Sequence, residues 1–166
     1  KIVDVLLTKS YTGFYFDDQK AIKAGAGHDG FMYIGQPMTE KFSKVRQTGE
    51  AISIQLVLED GSVGYGDCAA VQYSGAGGRD PLFLASEFIP FIEEHIVPQL
   101  IGEDVSSFRA LAEKYDNLEV NGQRLHTAIR YGLTQALLNA CAVANKVTMA
   151  EVIRKDYGIA DDHYDP

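Results

Sequence analysis

Cysteine is scarce in this chain. Its 166 residues include two, Cys68 and Cys141. They lie far apart in apolar surroundings, so they form neither a disulfide framework nor a metal-ligand pair. Both read as buried free thiols of a reducing compartment. Positive charge is also in short supply: 15 Lys and Arg stand against 23 Asp and Glu, a net charge of −8. No basic stripe is visible, which argues against a nucleic-acid partner bound through its phosphates. No apolar run approaches the length of a membrane span. The opening stretch, Lys1 to Thr8, is too short and alternates too early for a signal peptide, so a cytoplasmic location is expected. His28, His95, His126 and His163 lack metal-ligand spacing. No Ser-His-Asp or Cys-His arrangement is legible, and the paired acids Asp17-Asp18, Glu93-Glu94 and Asp161-Asp162 read as solvated faces or turns. From its residues alone, the chain lacks a convincing catalytic centre.

What is present is the patterning of one α+β domain. Ile2 to Thr8 and Tyr11 to Phe16 read as strands. Ala51 to Leu58 is a clear strand, and Val63 to Ala70 returns beside it. Asp60-Gly61 between them is a type I′ hairpin signal. Residues 1–70 are therefore expected to form a three-stranded antiparallel meander. Asp17 to Gly35 reads as a long ordered loop, rich in glycine and aromatics. Helices follow. Asp80 and Pro81 suggest an N-cap and first helical residue, and Leu84, Phe88, Phe91, Ile92 and Ile96 recur at helical spacing. Pro90 should kink that helix or mark a restart, and Pro98 should end it. A second helix is expected from about Ser106 to Leu118, and Asn121-Gly122 makes a turn. A third runs from Arg124 to Asn145, where Gly132 and many alanines suggest close packing. Thr148 with Glu151 forms a capping box for a last short helix. The sheet is thus followed by a bundle of three to four helices, and 159–166 is an acidic tail.

Two glycine clusters invite a phosphate-binding reading. Gly25-Ala-Gly-His-Asp-Gly30 has the dinucleotide spacing without the strand and helix that should flank it. Ser74-Gly-Ala-Gly-Gly-Arg-Asp-Pro81 precedes a helix, so its backbone N–H groups suit an anion, but the P-loop Lys-Ser/Thr is missing. Gln72 and Tyr73, where a strand meets this loop, are the best candidates for polar contact with a ligand. His28 is the histidine to watch.

Two resemblances then emerge. Pro98-Gln-Leu-Ile-Gly-Glu-Asp104 and Thr127-Ala-Ile-Arg-Tyr-Gly-Leu-Thr-Gln-Ala-Leu-Leu-Asn-Ala140 resemble the N-terminal cap of the enolase superfamily. More closely, Gly13 to Gln19, Gly25 to Phe31, Gly66 to Phe83, Val120 to Gly132 and Val147 to Ile153 resemble the N-terminal region of the methylaspartate ammonia-lyases. That resemblance implies a capping domain over residues 1–158, joined to a C-terminal (β/α)₈ barrel for which this chain is too short. It implies elimination of ammonia from 3-methylaspartate to give mesaconate, in glutamate breakdown. Mg²⁺ and the catalytic residues would lie in the barrel, with no metal held by this segment. It also implies a small amino-acid substrate, a homodimer, and no lyase activity in the segment alone. Gln72 matches the family's cap-side glutamine near the substrate amino group. His28, Asp29, Ser74, Gly75, Gly77 and Gly78 would lie on covering loops, with no assigned family role for His28. Such a cap should expose an apolar patch on its helical face. The alternative reading is a free-standing α+β module binding a small anion through Gln72–Gly78.

Overall fold

A computed structural model describes residues 1–70 and 80–160. Its elements, in order, are β1 (Ile2–Asp17), α1 (Gln19–Lys23), β2 (Gly27–Asp29), β3 (Met32–Ile34), β4 (Arg46–Leu58) and β5 (Val63–Ala69). There follow α2 (Ala85–His95), α3 (Val97–Leu100), α4 (Arg109–Asp116), β6 (Glu119–Val120), β7 (Gln123–Arg124), α5 (Thr127–Asn145) and α6 (Met149–Tyr157). The expected α+β arrangement is present. β1, β4 and β5 form a three-stranded antiparallel sheet in the order β1-β4-β5. Four helices of eight residues or more, and the four-residue α3, come after it.

The two strands expected before residue 17 are one. β1 stays paired with β4 through a register shift between Tyr11 and Tyr15. The Thr12 hydroxyl bridges this irregularity, accepting from Phe14 N at 3.1 Å and donating to Phe14 O at 3.0 Å. Gly49 opposite makes room for it: a Cβ there would lie 2.4 Å from Thr12 Oγ1 and 2.8 Å from Phe14 O.

The expected long loop from Asp17 to Gly35 is instead a short helix and a hairpin. Asp18 is fully buried and caps α1, accepting from Lys20 N and Ala21 N. β2 and β3 pair His28 with Tyr33, and the left-handed Gly30 turns the chain between them. Elements of three to five residues are too short to leave a readable period.

Alternation along β4 places Ile52, Ile54, Leu56 and Leu58 in the core, with Gly64, Gly66 and Cys68 of β5 beside them. Against this face lies α5, whose Ile129, Leu133, Ala136, Leu137 and Ala140 are buried. Contact is at backbone distance. A Cβ on Gly66 would fall 2.1 Å from Gly132 O, and one on Gly132 would fall 2.4 Å from Cys68 N. The close packing expected of the alanine-rich helix is therefore real, and it seats β5 directly on α5. Both cysteines are free and buried, and burial pushes the Cys141 thiol up to about 12.

Several boundaries differ from expectation. The Asp60-Gly61 hairpin, with four residues between β4 and β5, is not type I′: Gly61 is left-handed but Asp60 is not. Its carboxylate instead accepts from Ser62 N and Oγ. The type I′ turn occurs at Asn121-Gly122, where both residues have positive φ, 54° and 73°, between the paired β6 and β7. α2 begins at Ala85, not Pro81, and runs through Pro90. Pro98 lies in the first turn of α3 rather than ending a helix. The second and third helices begin later than expected, at Arg109 and Thr127. The Thr148–Glu151 capping box forms as expected. No single helix among the described residues is long and apolar enough to cross a membrane.

Candidate functional site

One end of the sheet gathers the candidate elements. β4 begins there, while β1 and β5 end there. The pairings Asp17↔Arg46, Tyr11↔Glu50 and Ala51↔Ala69 fix this alignment. The β2–β3 hairpin is attached at this end through Arg46. Ala70, the last described residue before position 71, follows the end of β5 there.

The chain returns to the same end at Asp80. β5 climbs α5 toward that helix's N-terminus: Gly64 faces Ala140, Gly66 faces Ala136 and Gly132, and Gly132 faces Cys68. At the top, His126 caps α5. Its Nδ1 accepts from Ala128 N at 3.0 Å, so its proton sits on Nε2, which donates to Pro81 O at 3.1 Å. Burial pushes the His126 pKa down, against the opposing pull of the Pro81 carbonyl and the Asp80 carboxylate. The imidazole is therefore a neutral clasp. Asp80 does not cap α2. Its carboxylate faces Thr127 N at 3.4 Å, at the start of α5. Phe83 is fully buried, 4.8 Å from the Phe88 ring and 4.9 Å from His126. Glu50 of β4 accepts from Ala85 N at 2.7 Å, tying the start of α2 to the same sheet end.

On the other side lies the hairpin. His28 and Asp29 are on β2 and exposed, and the His28 ring lies 4.4 Å from Tyr33. Gln72, Tyr73, Ser74, Gly75, Gly77 and Gly78, along with His163, lie outside the described residues. His95 meets Phe91 edge-on at 5.0 Å and serves packing. Among the described residues, no three His, Cys, Asp or Glu converge to hold a metal ion.

The exposed apolar patch expected on the helical face is not where exposed apolar side chains concentrate. Tyr11, Phe14, Tyr15, Phe31, Met32, Ile34 and Met38 are exposed along the end of β1 and the hairpin. α5 packs its apolar face on the sheet while α4 and α6 pack against α5, leaving Tyr131, Val143, Met149 and Tyr157 exposed on α5 and α6.

Asp17-Asp18, expected on a solvated face or turn, is instead shielded, with Asp18 fully buried and Asp17 paired with Arg46, a residue that sequence reasoning missed. Asp18 also binds Met38 N at 2.6 Å, Thr39 N at 2.8 Å and the Thr39 hydroxyl at 2.6 Å. It thus fastens the chain beyond the hairpin to the start of α1. Asp18 before Gln19 is an N-cap pattern, but its partners 20 residues away left no local signal.

A family described as methylaspartate ammonia-lyase N-terminus matches residues 1–158. The chain belongs to this family. Methylaspartate ammonia-lyase of Clostridium tetanomorphum is 68% identical over 157 residues, covering 95% of this chain and 38% of that enzyme. The chain thus spans about two fifths of the length of the lyase it matches. A crystal structure of β-methylaspartase from the same organism, in complex with Mg, superimposes with a TM-score of 0.93 at 65% identity. It covers 98% of this chain and 40% of that one. The Citrobacter amalonaticus methylaspartate ammonia-lyase, containing (2S,3S)-3-methylaspartic acid, gives a TM-score of 0.92 at 57% identity, over 96% of this chain and 39% of that one. The α+β fold is that of the N-terminal part of these lyases.

Proposed function

We propose that residues 1–158 act as the capping domain of a methylaspartate ammonia-lyase, covering a catalytic site built by a C-terminal (β/α)₈ barrel. The observation that carries this reading is the clustering at one sheet end. Both anchors of segment 71–79 and the β2–β3 hairpin belong there, on a domain whose described residues hold no metal-binding cluster. A cap of this kind excludes water and completes substrate contacts without supplying the base. On this reading the base and the Mg²⁺ ligands belong to the barrel, where the metal would stabilise charge developing on the substrate carboxylate. Gln72 is assigned to the substrate's amino group, with Tyr73 beside it. His28, Asp29, Ser74, Gly75, Gly77 and Gly78 are assigned to the cover. The substrate is 3-methylaspartate, the product mesaconate, and the full-length assembly a cytoplasmic homodimer.

Gln72→Ala tests the assignment. In the full-length polypeptide, kcat/KM for 3-methylaspartate falls about tenfold or more, because a polar partner of the substrate is lost. The thermal midpoint stays unchanged. Unaltered kinetics together with lost stability would reverse the assignment.

A further inference from the structure

The β2–β3 hairpin consists of two three-residue strands, and a hairpin of that size is marginal without an external fastening. Its exposed residues cannot supply one from the core: Phe31 is 77% exposed and Met32 and Ile34 are also exposed. The fastening comes from the first residue of β4. Arg46 meets Asp17 at the end of β1 with both prongs, Nε to Oδ1 and Nη2 to Oδ2, each at 2.7 Å. Its remaining nitrogen, Nη1, donates to Phe31 O in the hairpin turn at 2.7 Å. The guanidinium carbon also lies 5.4, 5.2 and 4.6 Å from the ring centres of Tyr15, Phe31 and Tyr33. Two of those rings belong to the hairpin and one to β1. The His28 ring also packs on Tyr33, 4.4 Å between centroids.

We infer that Arg46 is a positioning residue: it pins the Gly27–Ile34 hairpin to the end of the sheet, with Asp17 orienting it and the three rings enclosing it. The arrangement requires arginine. A lysine ammonium cannot make a bidentate pair with Asp17 and reach the Phe31 carbonyl from a planar fork at once. The side chains of Arg46 and Asp17 are only 15% and 16% exposed, so the pair is shielded from much of the screening that weakens surface ion pairs. The pinning rests on geometry alone, whereas its consequence for a substrate rests on the covering role proposed above.

Amide hydrogen exchange on the intact chain tests it. In Arg46→Ala, exchange of the Gly27–Ile34 amides rises about tenfold or more, while the Ile52–Leu56 amides keep their protection. Arg46→Lys gives nearly the same release, and Asp17→Asn a smaller one. Hairpin protection that is unchanged in Arg46→Ala overturns the inference. So does a rise shared equally with β4, a failure of the alanine variant to fold, or full rescue by lysine. The readout needs no substrate, so a failed covering role would leave this result standing, and a failed pin would leave the Gln72 test intact.

Discussion

Gly66→Ala lowers the unfolding free energy by roughly 3 kcal/mol or more, at the upper end of overpacking costs. The added methyl would meet Gly132 O at 2.1 Å and Ala136 N at 2.6 Å, and both are backbone atoms of α5. A flexible side chain could swing away, but a helix backbone moves only by lifting the strand. Gly132→Ala has a similar effect from the other side, because its methyl would fall 2.4 Å from Cys68 N and 2.6 Å from Asp67 C. Gly13→Ala is the control. Among the described residues beyond its chain neighbours, no heavy atom lies within 4 Å of its would-be methyl, and its φ is not in the left-handed region, so stability changes little. Urea unfolding of the three variants provides the check. Near-equal midpoints for Gly66→Ala and Gly13→Ala would mean that β5 does not rest on the α5 backbone. The consequence reaches the candidate site, because this contact aims the end of β5 at the start of α5.

Asp18→Ala costs about 3 kcal/mol by removing the buried acceptor of five hydrogen bonds. Asp18→Asn costs less, since one acceptor oxygen remains. Burial opposes ionisation of Asp18, yet the bonds from Thr39, Met38 and Ala21 outweigh it and hold its carboxyl at about 2, below the ordinary 3.8. The folded pKa is depressed, so the stabilisation is fully present above the unfolded value. It fades as pH falls from about 5 through the folded value near 2. A shift of this size corresponds to about 2 kcal/mol. Acid unfolding followed by circular dichroism should therefore lose its steepest part over that window in Asp18→Ala. An unchanged acid limb in the variant would show that the network does not stabilise the fold.

The legible parts of the fold were those with a period or a local cap. β4 and β5 alternate, α5 carries a small-residue face, and Thr148 with Glu151 satisfies its own helix end. The misread parts depend on distant partners. Asp80-Pro81 looks like a helix start, but the Pro81 carbonyl is engaged by His126 and the Asp80 carboxylate faces Thr127, so α2 waits until Ala85. The long-range hydrogen bonds of Asp18 and Arg46 reach 15 to 29 positions along the chain, and nothing in their neighbours' spacing announces it. The candidate site was legible mainly by resemblance. Its anchors, including the neutral His126 clasp and the Glu50 acceptor, come from tertiary structure.

Joining residues 1–158 to the C-terminal remainder of the Clostridium tetanomorphum lyase tests the capping account most directly. With Mg²⁺ and 3-methylaspartate, the joined protein should release mesaconate, and the 166-residue chain alone should release none. Turnover by the chain alone, or a folded joined protein without turnover, would contradict it.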